Sequence, residues 1–245
     1  MTAGFILTDV NKFSMDEINQ KLTELYNKYR DQMKKKLDEE SKLSYPLLMK
    51  LDEKYAIPNQ RLKLFIVGRQ TKDWCGELEN NERLIENLQA EYLEFMKKPE
   101  NERNPPSTFW LRVKDLREGL GLEKNAYAWS NLNKMDWGGK KPGKKIEGDM
   151  LRDFSLLREE IEICKPTCIV FFTGYKFDRL LAKTFGILPD KIKEVDESEK
   201  KAFAEVQIPS IDAKCFRLEH PQGKDQETFK KYLKKIIEIM IKTPA

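Results

Sequence analysis

The 245-residue chain contains a single histidine, His220, which is followed by Pro221 at the end of a strand-like apolar run. Three other apolar runs end on polar segments in the same way: Gly68-Arg69-Gln70-Thr71-Lys72-Asp73-Trp74-Cys75-Gly76, Asn131-Leu132-Asn133, and Thr173-Gly174. Together with His220-Pro221-Gln222-Gly223, these segments offer an imidazole, a carboxylate at Asp73, amides at Gln70 and Asn131, and an indole at Trp74. If the four runs are parallel neighbours in a sheet, their loops meet at one rim, and such convergence is what a site requires. A basic stretch from Trp137 to Lys145 adds Lys140, Lys141, Lys144 and Lys145, residues able to sit beside phosphates, as Arg69, Lys72 and Lys224 could.

Composition narrows the chemistry. With 45 Lys plus Arg against 41 Asp plus Glu, the net charge of +4 is only weak support for an acidic partner. Hydrophobic residues at 40% exclude a disordered chain, and no apolar run reaches membrane-spanning length. The N-terminus lacks the basic start and long apolar stretch of a signal peptide, so a cytoplasmic monomer away from membranes is expected. The cysteines Cys75, Cys164, Cys168 and Cys215 are scattered and read as reduced thiols. Pro166 between Cys164 and Cys168 favours packing over a metal pair, and one histidine excludes a His-rich zinc site, so neither metal nor cofactor is expected.

The elements that must position these residues follow from periodicity. Helical spacing runs from Ser14, an N-cap with Glu17 completing a capping box, to about Lys36, and its lysine-rich tail reads as a solvated face. A second short helix is expected near Tyr45 to Tyr55, then helices over 79–97, 109–120 and 149–163, one opened by Gly174, and a closing helix over 225–242. The strands are 62–68, 126–131, 167–172 and 213–219, and the stretch from Pro189 to Ser210 reads as a polar, variable region. Strands alternating with amphipathic helices predict an α/β fold: a three-layer α/β/α domain with a mostly parallel four-stranded sheet. An N-terminal helical extension (1–58) precedes the α/β core (59–245).

The strand ending in Gly68, the strand ending in Asn131, Lys165-Pro166 leading into a strand and Gly174, and the late strand ending in His220-Pro221 resemble the uracil-DNA glycosylase superfamily. The resemblance spans roughly Leu62 to Met240. It is strongest to the single-strand-selective monofunctional uracil glycosylases, whose glycine, polar catalytic residue and aromatic match Gly68, Gln70 and Trp74 here. It implies a protein that binds DNA, flips out a base and breaks its N-glycosidic bond through an oxocarbenium-like state. By the same resemblance, His220 would donate to the developing oxyanion of the base, Asn131 would read the base edge, and Trp74 would stack on it. Arg69, Lys72, Lys140, Lys141, Lys144, Gly174 and Lys224 would meet the DNA backbone.

The sequence departs from that pattern at Gln70, where the family carries Asp or Asn; a glutamine can orient a water but cannot take its proton. Asp73 could supply a carboxylate if the loop folds differently. The segment after Pro221 also lacks the serine and wedging loop that the family places there. Each of these residues has a plainer reading as well: His220 as a surface or capping group, Asn131 as a turn residue, Trp74 and Trp129 as core packing, the lysines as surface charge. A catalytically silent nucleic-acid-binding module, or an unrelated flavodoxin-like domain for a small molecule or nucleotide, therefore stand as alternatives. No G-x-G-x-x-G or P-loop supports the last.

Overall fold

The computed structural model describes residues 15–56, 61–76, 83–103, 107–194, 201–222 and 225–242. The predicted cap at Ser14 and the phosphate candidate Lys224 lie outside them. Apolar, partly β-branched runs form β1 (Leu64–Gly68), β2 (Tyr127–Asn131) and β3 (Cys168–Phe171), in which every residue is buried. Because successive strand side chains point to opposite faces, such strands need cover on both. Three further strands follow: β4 (Ile192–Glu194), β5 (Phe203–Val206) and β6 (Lys214–Leu218).

The fold is α/β, and its sheet has six strands, in the order β2-β1-β3-β6-β5-β4, rather than the four expected. The four expected strands are its parallel part, and Gly68 of β1 lies opposite Asn131 of β2 at their carboxyl ends. The added pair β4 and β5 runs antiparallel along the β6 edge, inside the stretch read as polar and variable. These strands are 3 and 4 residues long, and only β5 alternates visibly, with Glu205 exposed between buried Ala204 and Val206. So short a pattern, interleaved with Lys and Glu, carries no periodic signal.

The helices are α1 (Met15–Lys28), α2 (Arg30–Glu39), α3 (Leu84–Lys97), α4 (Thr108–Gly119), α5 (Lys144–Asp153), α6 (Leu156–Cys164), α7 (Asp178–Phe185) and α8 (Gln226–Lys242). Two predicted helices are each broken in two, the first at Tyr29 and the fifth at Phe154, where φ −155° and ψ 91° leave the helical region. The helix expected near Tyr45 to Tyr55 is instead extended chain ending in one 3-10 turn, Glu53–Ala56. Its Leu47, Leu48 and Met49 are fully buried. Its backbone donors find non-helical partners: Leu47 N–H donates to the Lys134 carbonyl at 2.8 Å and Met49 N–H to Tyr26 Oη at 2.9 Å. The N-terminal helices are part of the same core: Ile18, Leu22, Leu25 and Tyr26 of α1 join the cluster that holds the strands. Among the described residues no helix is long and apolar enough to cross a membrane.

Candidate functional site

Parallel pairing brings the ends of β1, β2 and β6 to one rim, and a cleft of about 580 Å³ opens there, within the usual range for ligand sites. Its wall includes Gly68, Arg69, Gln70, Lys72, Trp74, Asn131 and His220, all named from the sequence as site residues. Phe95, Phe109, Trp110 and Trp129 complete an aromatic side. Trp74 packs edge-on against Phe95 and Trp129, with centroids 5.3 and 5.9 Å away, so the indole is held by its neighbours rather than free in the loop.

Gly68 is dictated by close approach, because a Cβ there would collide with the side-chain amide of Asn131. Asn131 is 1% exposed, and with its amide oriented to suit its neighbours the nitrogen donates to the Ser130 carbonyl at 3.1 Å while the oxygen accepts from Thr71 N–H at 3.2 Å. Those bonds use one of its two N–H groups and one of its two lone pairs, leaving one of each for a ligand. Gln70 is half-buried, and its Oε1 is shielded from solvent without a hydrogen-bond partner.

His220 lies against Phe109, with ring centroids 6.3 Å apart and planes at 23°. Burial, and then repulsion from the Arg69 guanidinium, push its pKa down to about 4, so the ring is neutral at physiological pH. Its Nδ1 accepts from Gln222 N–H at 3.3 Å, which places the remaining proton on Nε2 and makes that nitrogen a donor. Arg69 is fixed in turn: its Nε donates to the Thr173 carbonyl at 2.8 Å and its guanidinium lies 5.0 Å from the Phe177 ring centre. Gly174, at φ 75°, makes room for it, since a Cβ there would press on Arg69 Nη2 at 3.2 Å and on the His220 backbone nitrogen at 3.4 Å.

Other named residues stand apart from the cleft. Asp73 is exposed, sits at φ 57°, and does not line the cleft, so the alternative carboxylate is not brought to the site. Its backbone N–H instead donates to Asp136 Oδ2 at 2.8 Å. Lys141 pairs with Glu147 at 3.0 Å and lies over the Phe177 ring at 4.9 Å. Lys140 is exposed in the loop beside the rim, and Lys144 and Lys145 are exposed in the first turn of α5, so the irregular basic stretch ends as helix. None of these four lines the cleft. Gly174 borders a neighbouring cavity of about 390 Å³ rather than the cleft itself.

The residue that sequence reasoning missed is Asp136. It is fully buried and accepts from Thr71 Oγ1 at 2.6 Å, Asp73 N–H at 2.8 Å and Gly139 N–H at 2.6 Å, tying the loop after β1 to the glycine turn of the basic stretch. Ser44, from the N-terminal region, holds Asp136 through paired 2.9 Å bonds between the two residues. The one sequence signal was an acidic residue opening a basic run. The aromatic wall had a signal too, the Phe109-Trp110 pair opening a helix straight after the breaker Pro105-Pro106. The four cysteines are free thiols, with Cys164, Cys168 and Cys215 buried. Compared with known proteins, the chain matches no family model and no curated sequence.

Proposed function

We propose that this chain is a DNA-base glycosylase-like protein that binds DNA, receives a flipped-out uracil or otherwise altered base in the cleft, and hydrolyses its N-glycosidic bond. The observation that carries the reading is the gathering of His220, Asn131, Gln70 and Trp74 around one cleft at the carboxyl ends of parallel strands. In the reaction the bond between the sugar and the base breaks, the base leaves as an anion, and water attacks the oxocarbenium-like sugar. A neutral His220 with its proton on Nε2 suits the task of donating to the oxygen where that negative charge develops. The spare N–H and lone pair of Asn131 suit a base edge that both accepts and donates. Gln70 would orient the water, whose proton passes to solvent because the amide cannot take it.

A second reading, a catalytically silent nucleic-acid-binding module, is favoured by one specific observation. Gln70 supplies no base, and Asp73, the nearest carboxylate in its loop, is exposed and outside the cleft wall. Incubation with end-labelled single- and double-stranded oligonucleotides carrying uracil or another altered base separates the two. Alkali-labile sites that disappear in His220→Ala support the enzyme. Salt-sensitive binding without a cut on any base supports the silent module, and no salt-sensitive binding at all sinks both.

A further inference from the structure

We propose that the cavity next to the cleft seats the nucleotide adjacent to the flipped-out one in a single DNA strand, with Tyr175 as the stacking surface for its base; this inference rests on the reading of the cleft given above. The cavity, about 390 Å³, shares Arg69, His220 and Gln222 with the cleft, so the two are separated by a single wall of side chains. A polymer whose successive units differ only in their bases fits two adjoining cavities of this kind. Tyr175 is 37% exposed and one of three large hydrophobic side chains exposed among the described residues; the other two, Leu188 and Ile241, border neither cavity.

The backbone turn that carries the ring is pinned. Gly174 before it takes a φ of 75° and its N–H donates to the Leu218 carbonyl at 2.8 Å, so the turn that projects Tyr175 is pinned to the end of β6. Lys201 Nζ lies 5.0 Å from the ring centre, and Lys176 and Arg69 border the same cavity. Glu219 also borders it and acts electrostatically on Arg69. An aromatic ring among cations suits a base joined to phosphates, because every base has a π-face and the backbone supplies the negative charge. A neighbouring base stacked on a protein ring is unpaired as well as unstacked, at least cost in an already single strand, and so the occupant is a single strand. Gln222, Gly223 and Lys224, which follow Pro221, include no aromatic residue, so the stacking role falls to Tyr175 in a different loop.

The test is fluorescence anisotropy with a labelled single-stranded oligonucleotide carrying one uracil on a 2′-fluoro sugar, which resists hydrolysis. Two companion strands have the base removed from the 5′ or from the 3′ neighbour of the uracil. Tyr175→Ala should weaken binding of the intact strand by roughly 5- to 160-fold, the range for losing one stacked base, while Tyr175→Phe binds as the parent protein does. With one of the two companion strands, and not the other, the Tyr175→Ala defect should vanish. A defect that persists on both, or no defect on the intact strand, overturns the inference and leaves the reading of the cleft standing. If the unmutated protein binds none of the strands, that reading falls and the inference with it.

Discussion

In the proposed reaction His220 is the residue on which the chemistry turns, and its protonation state has measurable consequences. An imidazole with an ordinary pKa of 6.5 that falls to about 4 in the fold binds fewer protons folded than unfolded between those values. Stability therefore rises with pH across that window and is lost as pH falls from about 6.5 toward 4. Partial exposure screens the effect, so about 1–3 kcal/mol is expected from this residue. Chemical denaturation at pH 7 and pH 4 should show His220→Gln losing less stability than the parent by that amount. Catalysis by neutral imidazole should hold to near pH 4, and Arg69→Ala, by removing the like charge, should move that acid limb upward in a pH–rate profile. An acid limb near 6.5 in the parent would exclude the neutral donor. At this scale the sequence was informative where an apolar strand run gives way to a loop: Gly68 and Asn131 at strand ends, and Gln70, Trp74 and His220 beyond them, all reach the cleft. It was silent where a role depends on partners far along the chain, as for Asp136, whose hydrogen-bonded neighbours include Ser44, 92 residues away.

The loop after β1 illustrates what an element needs beyond its own residues. Its backbone continues the sheet pattern briefly, with Asn133 N–H donating to the Arg69 carbonyl at 2.9 Å, and then turns at Asp73 and Cys75, both at positive φ without being glycine. Such a conformation persists only where surrounding bonds hold it, and at Asp73 the holder is the Asp136 carboxylate. Asp136→Asn keeps the size but exchanges an accepting oxygen for a donor, so at least one of the Thr71 hydroxyl, the Asp73 N–H or the Gly139 N–H loses its partner. The expected cost is about 2–4 kcal/mol, since bonds to a charged group are the stronger kind. Hydrogen exchange should show faster exchange at Thr71 to Cys75, with β3 unchanged; uniform acceleration across the sheet would mean that Asp136 supports the whole fold and not this loop. The parallel strands and amphipathic helices were legible because burial on two faces, or on one stripe, imposes a repeating pattern. The β4–β5 hairpin and the extended chain through Leu47–Met49 were not, because their stability comes from an adjoining edge or from tertiary hydrogen bonds that leave no period in the sequence.

At the scale of the whole molecule, a buried polar cluster joins α1, α6 and β2. Glu160 of α6, fully buried, accepts from Tyr26 of α1 at 2.8 Å, from Ser130 of β2 at 2.8 Å and from Lys134 at 2.6 Å, and Lys134 Nζ also donates to Ser130 Oγ at 2.7 Å. Burial draws the Lys134 pKa down while Glu160 opposes it, so the ammonium depends on this single carboxylate. Tyr26, in the N-terminal helical stretch, is bonded to the carboxylate that also fixes Ser130, the residue beside Asn131 in the cleft wall. Neither Ser130 nor Lys134 carries a local sequence signal of this role, because their partner lies 26 to 30 residues further on. Replacing Glu160 with Gln strands a buried cation and should cost about 3–5 kcal/mol in urea denaturation. Replacing Lys134 with Met in the same protein removes the stranded charge, and the double variant should be more stable than Glu160→Gln alone. If the two substitutions instead add, the charges do not depend on each other and the cluster is held by its hydroxyl bonds. Because Ser130 is shared, Glu160→Gln should also weaken uracil-strand binding more than Lys28→Ala does, which removes the exposed Lys28–Glu159 pair on the same two helices and the Lys28 contact to the Tyr29 ring.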